Sequence, residues 1–221
     1  MNTKTQIKKE LAKYGRMLAK KGLVAAGGGN ISARYKDSIF IKASGARLED
    51  AKENDFIELD LRTGVPSRRS GIPPKRKLQA GKACAKKPSI EYKMHVACFL
   101  KRPDVGAVIH AHPPVATGFA TSGRKLCDIT AEFAMVLKTG VPTIKFVTPG
   151  TEKLAAAVAN KIKNHNALLL ANHGTIAVGK DLKEAFERTV VLEEAAKICL
   201  SAEVFGKVKS IKKSAIKSLL G

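Results

Sequence analysis

Val105-Gly-Ala-Val-Ile-His-Ala-His-Pro-Pro is a short run of small and branched apolar residues that ends in two histidines one residue apart. Such a run reads as a strand buried in the interior of an α/β protein. Alternate side chains of a strand share a face, so His110 and His112 can converge on one point. A third histidine lies well downstream, in Asn172-His173-Gly174. Three neutral imidazoles that leave a fourth position open make the layout of a catalytic zinc site, whereas a structural site is closed by four protein ligands. The competing reading is a chance His-x-His with His173 in an ordinary turn. It weakens once the upstream residues are counted.

A chain of 221 residues can build one sizeable α/β domain with a real core. No stretch approaches the length of a membrane span, and Met1-Asn-Thr-Lys-Thr-Gln lacks the apolar segment of a signal peptide. A soluble, cytoplasmic protein with no membrane partner is therefore expected. Cys84, Cys98, Cys127 and Cys199 are scattered without a Cys-x-x-Cys pair, which points to reduced thiols and away from thiolate ligation of zinc.

The formal net charge of +21 is concentrated in two places. Residues 61–90 hold nine basic residues and no acidic one, and residues 207–221 hold five lysines and no acid. Removing those fourteen charges from +21 leaves +7, an ordinary surplus for an enzyme. Such patches can bind polyanions by counterion release. Neither holds an aromatic residue for base stacking, so a solvated basic surface that attracts anionic substrates is preferred to a nucleic-acid module.

Along the chain, Ile7, Leu11, Tyr14 and Leu18 fall at helical spacing, with Gly22 as the stop. A glycine-rich turn, Val24-Ala-Ala-Gly-Gly-Gly-Asn-Ile-Ser, opens into a strand, and further strands are expected over 38–43 and 55–60. Residues 62–88 read as a basic loop insertion rich in Gly, Pro and Lys. Helices are expected over 91–101, 130–138, 152–163 and 182–205, and strands over 105–112, 141–147, 167–172 and 175–179. The strand at 141–147 contains Pro142, as an edge strand can. No internal repeat or linker divides the chain. It reads as one domain over 1–206 followed by a basic tail, 207–221.

Three elements offer open amides or hydroxyls to a phosphate: Gly27-Gly-Gly-Asn30-Ile-Ser32, Ser44-Gly45, and Pro88-Ser89 ahead of a helix whose free N–H groups and dipole favour anions. Glu91 opens that helix. It is either a first-turn carboxylate favoured by the dipole or a general base beside the metal. His95, four residues on, shares its helix side and reads as a packed structural histidine ahead of a partner to the metal site. His165, in Lys163-Asn-His-Asn, reads as a surface residue.

Taken together, Gly29-Asn30-Ile-Ser32, Lys42-Ala-Ser44-Gly45, Pro88-Ser89-Ile-Glu91, His110-Ala-His112 and Asn172-His173-Gly174 resemble the class II aldolase/adducin family, in that order and over most of the chain. The resemblance implies a single-domain three-layer α/β/α sandwich with a mostly antiparallel central sheet, assembled as a homotetramer. It implies one Zn2+ per subunit, or another divalent metal, on His110, His112 and His173. Glu91 would then be the catalytic acid/base, and a metal ligand when substrate is absent. Asn30, Ser44, Gly45 and Ser89 would hold the substrate phosphate.

The implied reaction is cleavage of a ketose phosphate, such as L-fuculose 1-phosphate, to dihydroxyacetone phosphate and an aldehyde. Alternatives on the same fold are a sugar-phosphate 4-epimerase, a dehydratase or a decarboxylase. An adducin-like interaction domain without catalysis is the reading from a different class, and the intact histidine triad speaks against it. Two departures from the family pattern stand out. Ile90 occupies the place of a second serine, and Phe133 stands where a tyrosine handles the aldehyde half, with Glu132 as a substitute acid.

Overall fold

The computed structural model describes residues 3–66, 86–126, 129–138 and 140–221. Residues 67–85 of the expected basic loop lie outside the described residues, as do Cys84 and Cys127. The elements run α1 (Lys4–Lys20), β1 (Asn30–Tyr35), β2 (Ser38–Lys42), β3 (Phe56–Asp60), α2 (Tyr92–Lys101), β4 (Ala107–Ala111) and α3 (Pro114–Ser122). They continue with α4 (Ala131–Leu137), β5 (Thr143–Ile144), α5 (Glu152–Ile162), β6 (Ala167–Leu170), β7 (Gly174–Gly179), α6 (Leu182–Phe205) and α7 (Lys213–Leu220).

Among the described residues seven strands form one sheet in the order β3-β2-β1-β4-β7-β6-β5. Every pairing is antiparallel except β5 with β6. Helices cover both faces, because the central strands are apolar on both sides. Ile39, Ile41, Val108, Leu168 and Ile176 pack against Met94, Cys98 and Phe99 of α2 and Leu154 and Val158 of α5. The other face carries Ile31, Phe40 and Ile109 under α1 and the start of α6. Beside them Phe119, Phe133, Leu137, Leu192 and Ala196 join α3, α4 and α6 over β6 and β7. The three-layer sandwich with a mostly antiparallel sheet is what the family resemblance implied.

Several elements depart from expectation in instructive ways. The strand expected over 141–147 shrinks to Thr143–Ile144, paired in parallel with Leu169 and Leu170 at the sheet edge. β4 ends at Ala111, so His112 sits just past the strand, its N–H donating to Leu23 O at 2.9 Å. α3 begins at Pro114, a residue that is well tolerated in a first helical turn because its missing N–H would have no partner there. Buried Glu193 of α6 supplies that turn with acceptors: Val115 N–H donates to Oε1 at 3.2 Å and Ala116 N–H to Oε2 at 2.9 Å. The basic tail contains the helix α7, which packs against α4.

Candidate metal centre and adjoining cleft

Three adjacent strands set the cluster. Asn30 of β1 is in register with His110 of β4, and His110 with Ile176 of β7. His110 shares a strand face with Val108, and Asn30 with Ser32, so both point towards α2 and its preceding residue Glu91. His173 comes from the turn between β6 and β7, where Asn172 takes a left-handed conformation (φ 55°) that asparagine accommodates. Two glycines make room. A Cβ on Gly174 would collide with the Ala111 carbonyl and come within 2.6 Å of His112 Cδ2. Gly29 (φ +68°) lies over Val24 and the His110 carbonyl, at 2.5 Å and 3.0 Å from where its Cβ would be.

The ring nitrogens of His110, His112 and His173 lie within 4.8 Å of one another. His110 Nδ1 is 2.8 Å from Thr175 O, which only accepts, so Nδ1 carries the proton and Nε2 presents its lone pair to the cluster. That nitrogen is 3.0 Å from His112 Nε2 and 3.2 Å from Glu91 Oε2, while His173 Nε2 is 3.0 Å from Glu91 Oε1. Lone pairs and carboxylate oxygens crowded this closely are stabilised by a shared cation, and the donor set suits zinc or a neighbouring transition metal. Among the described residues, His173 Nδ1 is a buried atom with no hydrogen-bond partner, and Glu91 Oε1 meets only the 3.0 Å contact with His173 Nε2.

Burial, with the nearby His110 and His173 rings, pushes His112 down to about 4, so it is a neutral ligand at ordinary pH. Burial alone would raise the Glu91 carboxyl. The His110 and His173 rings, when they carry a proton or share a cation, together with the Asn30 donor outweigh it and hold the group well below the usual carboxylate range. Asn30 Nδ2 donates to Glu91 Oε2 at 2.8 Å. His95 is fully buried beneath them, 2.5 Å from Asn30 Oδ1 through Nε2 and 2.6 Å from Ser32 Oγ through Nδ1; burial takes it down to about 3. The expected packed histidine is thus also tied to the site.

A cleft of about 340 Å3 opens beside the cluster, lined by Glu91, His112 and His173 at one end. Asn30, Ser44, Gly45 and Ser89 line the same cleft, so all four residues expected to hold a phosphate come together. Ile90 lines it too and is 68% exposed. Lys42 is a cleft residue for which sequence reasoning assigned no role. Buried at the end of β2, it donates to Gly27 O at 3.0 Å and Ala46 O at 2.8 Å. An ammonium has three donors, so one remains for a ligand. Burial lowers its pKa, opposed by the charge of Glu91.

Phe133 does not reach this cleft. Its ring is 0% exposed and packs with Phe119, Leu137 and Leu192, so it is a core residue of this chain. Glu132 is exposed on the same helix, and His165 donates from Nδ1 to Lys161 O at 2.8 Å.

The family model described as Class II Aldolase and Adducin N-terminal domain matches residues 9–200. The chain is 31% identical over 193 residues to an L-fuculose phosphate aldolase of Methanocaldococcus jannaschii, covering 87% of this chain and 95% of that protein. It is 32% identical over 175 residues to a 5-methylthioribulose-1-phosphate/5-deoxyribulose-1-phosphate aldolase of Rhodospirillum rubrum, covering 79% and 72% of the two chains. A solved L-fuculose 1-phosphate aldolase superposes with a TM-score of 0.85 at 29% identity, over 99% of this chain and 96% of that one.

Proposed function

The chain belongs to the class II aldolase and adducin family, and from that premise we propose that it is a metal-dependent aldehyde-lyase acting on a ketose 1-phosphate. The observation that carries the reading is the convergence of His110, His112 and His173 with Glu91 at the mouth of a cleft lined by Ser44, Gly45, Ser89 and Lys42. The products are dihydroxyacetone phosphate and an aldehyde. The three imidazoles hold the metal, with zinc the ion that best suits them.

When bound, zinc supplies Lewis acidity and fixed positive charge where negative charge develops on the substrate oxygens. Glu91, held ionised, takes the C4 hydroxyl proton as the C3–C4 bond parts and returns it to C3 of the dihydroxyacetone phosphate half. One carboxylate thereby serves both proton transfers, which suits a cleft without a tyrosine among the described residues that line it. The Ser44 and Ser89 hydroxyls, the Gly45 amide, the second Asn30 N–H and the Lys42 ammonium bind the phosphate and fix C3 and C4 relative to Glu91.

L-fuculose 1-phosphate is the substrate favoured by the M. jannaschii relative. The burial of Phe133 and the R. rubrum relative favour a second one, 5-deoxyribulose 1-phosphate, whose aldehyde half needs fewer polar partners. The same proposal carries a cytoplasmic homotetramer, supported by the apolar surface that Val204 and Phe205 leave at the end of α6, 77% and 90% exposed.

The test is release of dihydroxyacetone phosphate by the zinc-loaded protein from both ketose 1-phosphates. Glu91→Gln should keep its metal and lose about 100- to 10,000-fold in kcat. Cleavage of neither compound by metal-loaded protein would overturn the aldolase reading. Full activity in Glu91→Gln would remove that residue from the mechanism.

A further inference from the structure

Ser32 and His95 make a hydrogen-bonded pair beneath the cleft that the proposed chemistry leaves unused. Ser32 follows Asn30 by two residues on β1, and His95 follows Glu91 by one turn into α2. The two periodicities set these four side chains face to face. Ser32 Oγ lies 2.6 Å from His95 Nδ1, His95 Nε2 lies 2.5 Å from Asn30 Oδ1, and Asn30 Nδ2 lies 2.8 Å from Glu91 Oε2. Ser32 and His95 are both fully buried.

The chemistry of the acceptors gives the chain one direction. An ionised Glu91 only accepts, so Asn30 turns its NH2 to the carboxylate and its Oδ1 to His95. Because Oδ1 only accepts, His95 Nε2 carries the proton. A neutral imidazole has one N–H, so Nδ1 is bare and accepts from the Ser32 hydroxyl. Reversing the Asn30 amide would set its oxygen against the carboxylate and its NH2 against the His95 N–H. Both contacts would be repulsive, and Ser32 and His95 are fully buried, so neither has solvent to turn to.

We propose that Ser32 and His95 are positioning residues that lock the orientation of the Asn30 amide and, through it, the Oε2 atom of Glu91. Oε1, which lies 3.0 Å from His173 Nε2 and takes no part in that chain of hydrogen bonds, is thereby left as the oxygen that exchanges the proton. The assignment rests on Glu91 being the proton carrier. The lock itself is independent of that role.

The test uses three full-chain variants. Ser32→Ala removes one oxygen, His95→Leu removes both ring nitrogens, and His95→Gln keeps an N–H within reach of Asn30 Oδ1. In metal-loaded protein, kcat should fall about 10- to 100-fold in His95→Leu, in the range seen when a group that orients a metal-site residue is removed. It should fall about fivefold in Ser32→Ala, the worth of one neutral hydrogen bond, and recover in His95→Gln, with KM little changed throughout. In metal-free protein, hydrogen exchange of the Asn30 side-chain NH2, followed by 15N NMR, should accelerate in Ser32→Ala and His95→Leu and slow again in His95→Gln.

Unchanged kcat with a still-protected Asn30 amide would overturn the proposal. So would a joint loss of kcat and KM without a change in exchange, since that is the mark of packing alone. If His95→Leu does not fold, Ser32→Ala and His95→Gln decide by the same two readouts. Full activity in Glu91→Gln would instead sink the acid–base reading, while the exchange measurement still decides the lock.

Discussion

Lys42 shows how a single side chain can go without a role in the sequence and what it costs to remove. Its burial was not legible because it depends on carbonyls of Gly27 and Ala46 that the chain brings together only in three dimensions. Lys42→Met keeps the length of the side chain and removes the charge. The loss of one charged hydrogen bond to phosphate, about 1.5–3 kcal/mol, should raise KM for a ketose 1-phosphate roughly 10- to 100-fold with a smaller change in kcat. Steady-state kinetics at fixed zinc would check this, and an unaltered KM would exclude Lys42 from the phosphate site. The convergence of His110, His112 and His173 was legible because histidines are rare at such spacing, whereas Glu91 also read as a first-turn carboxylate and was set beside them by the family resemblance. The Ser32–His95 pair was only half legible, since helical periodicity sets His95 beside Glu91 but gives no sign of the strand opposite. Phe133 was placed by analogy of position. Its burial in the core reflects the apolar stripe of α4 on α6, which a one-to-one match of motifs does not weigh.

At the scale of elements, α3 is held by a partner distant in the chain. Glu193 accepts from the Val115 and Ala116 amides at the start of this helix, and the helix begins two residues after His112. Glu193→Ala leaves two amides of the first turn without their acceptor, one of them in a buried residue. It should lower the unfolding free energy by roughly 2–3 kcal/mol, read from the urea midpoint. A shift of a few tenths would mean that the amides find other acceptors. The long helices and central strands were legible from apolar periodicity, and their ends fall close to expectation. α3 was not, because Pro113-Pro114 looks like a break when the second proline in fact sits comfortably in a first helical turn. The strand over 141–147 was overextended for a related reason. Pro142 can accept but not donate, and regular pairing with β6 begins only after it.

For the molecule as a whole, the buried imidazoles couple folding to pH. Burial, with neighbouring His110, is the main reason that His95 and His112 stay neutral down to about 3 and about 4 in the folded chain. In the unfolded chain both take a proton near the ordinary histidine value of about 6.5. The unfolded state therefore binds more protons between about pH 6.5 and the folded values, so stability falls as pH is lowered through that window and is flat with respect to these groups above it. The urea midpoint of metal-free protein should drop steadily from about pH 7 to about pH 4, and a constant midpoint would show that the rings are not held neutral. The sheet order has a consequence in time as well. β1, β4 and β7 are neighbours in space, yet the chain reaches β7 only after six of the seven strands among the described residues. During synthesis from the N-terminus the three histidines therefore cannot meet until His173 has left the ribosome, and α6, which packs on α3 and β7, follows only after that.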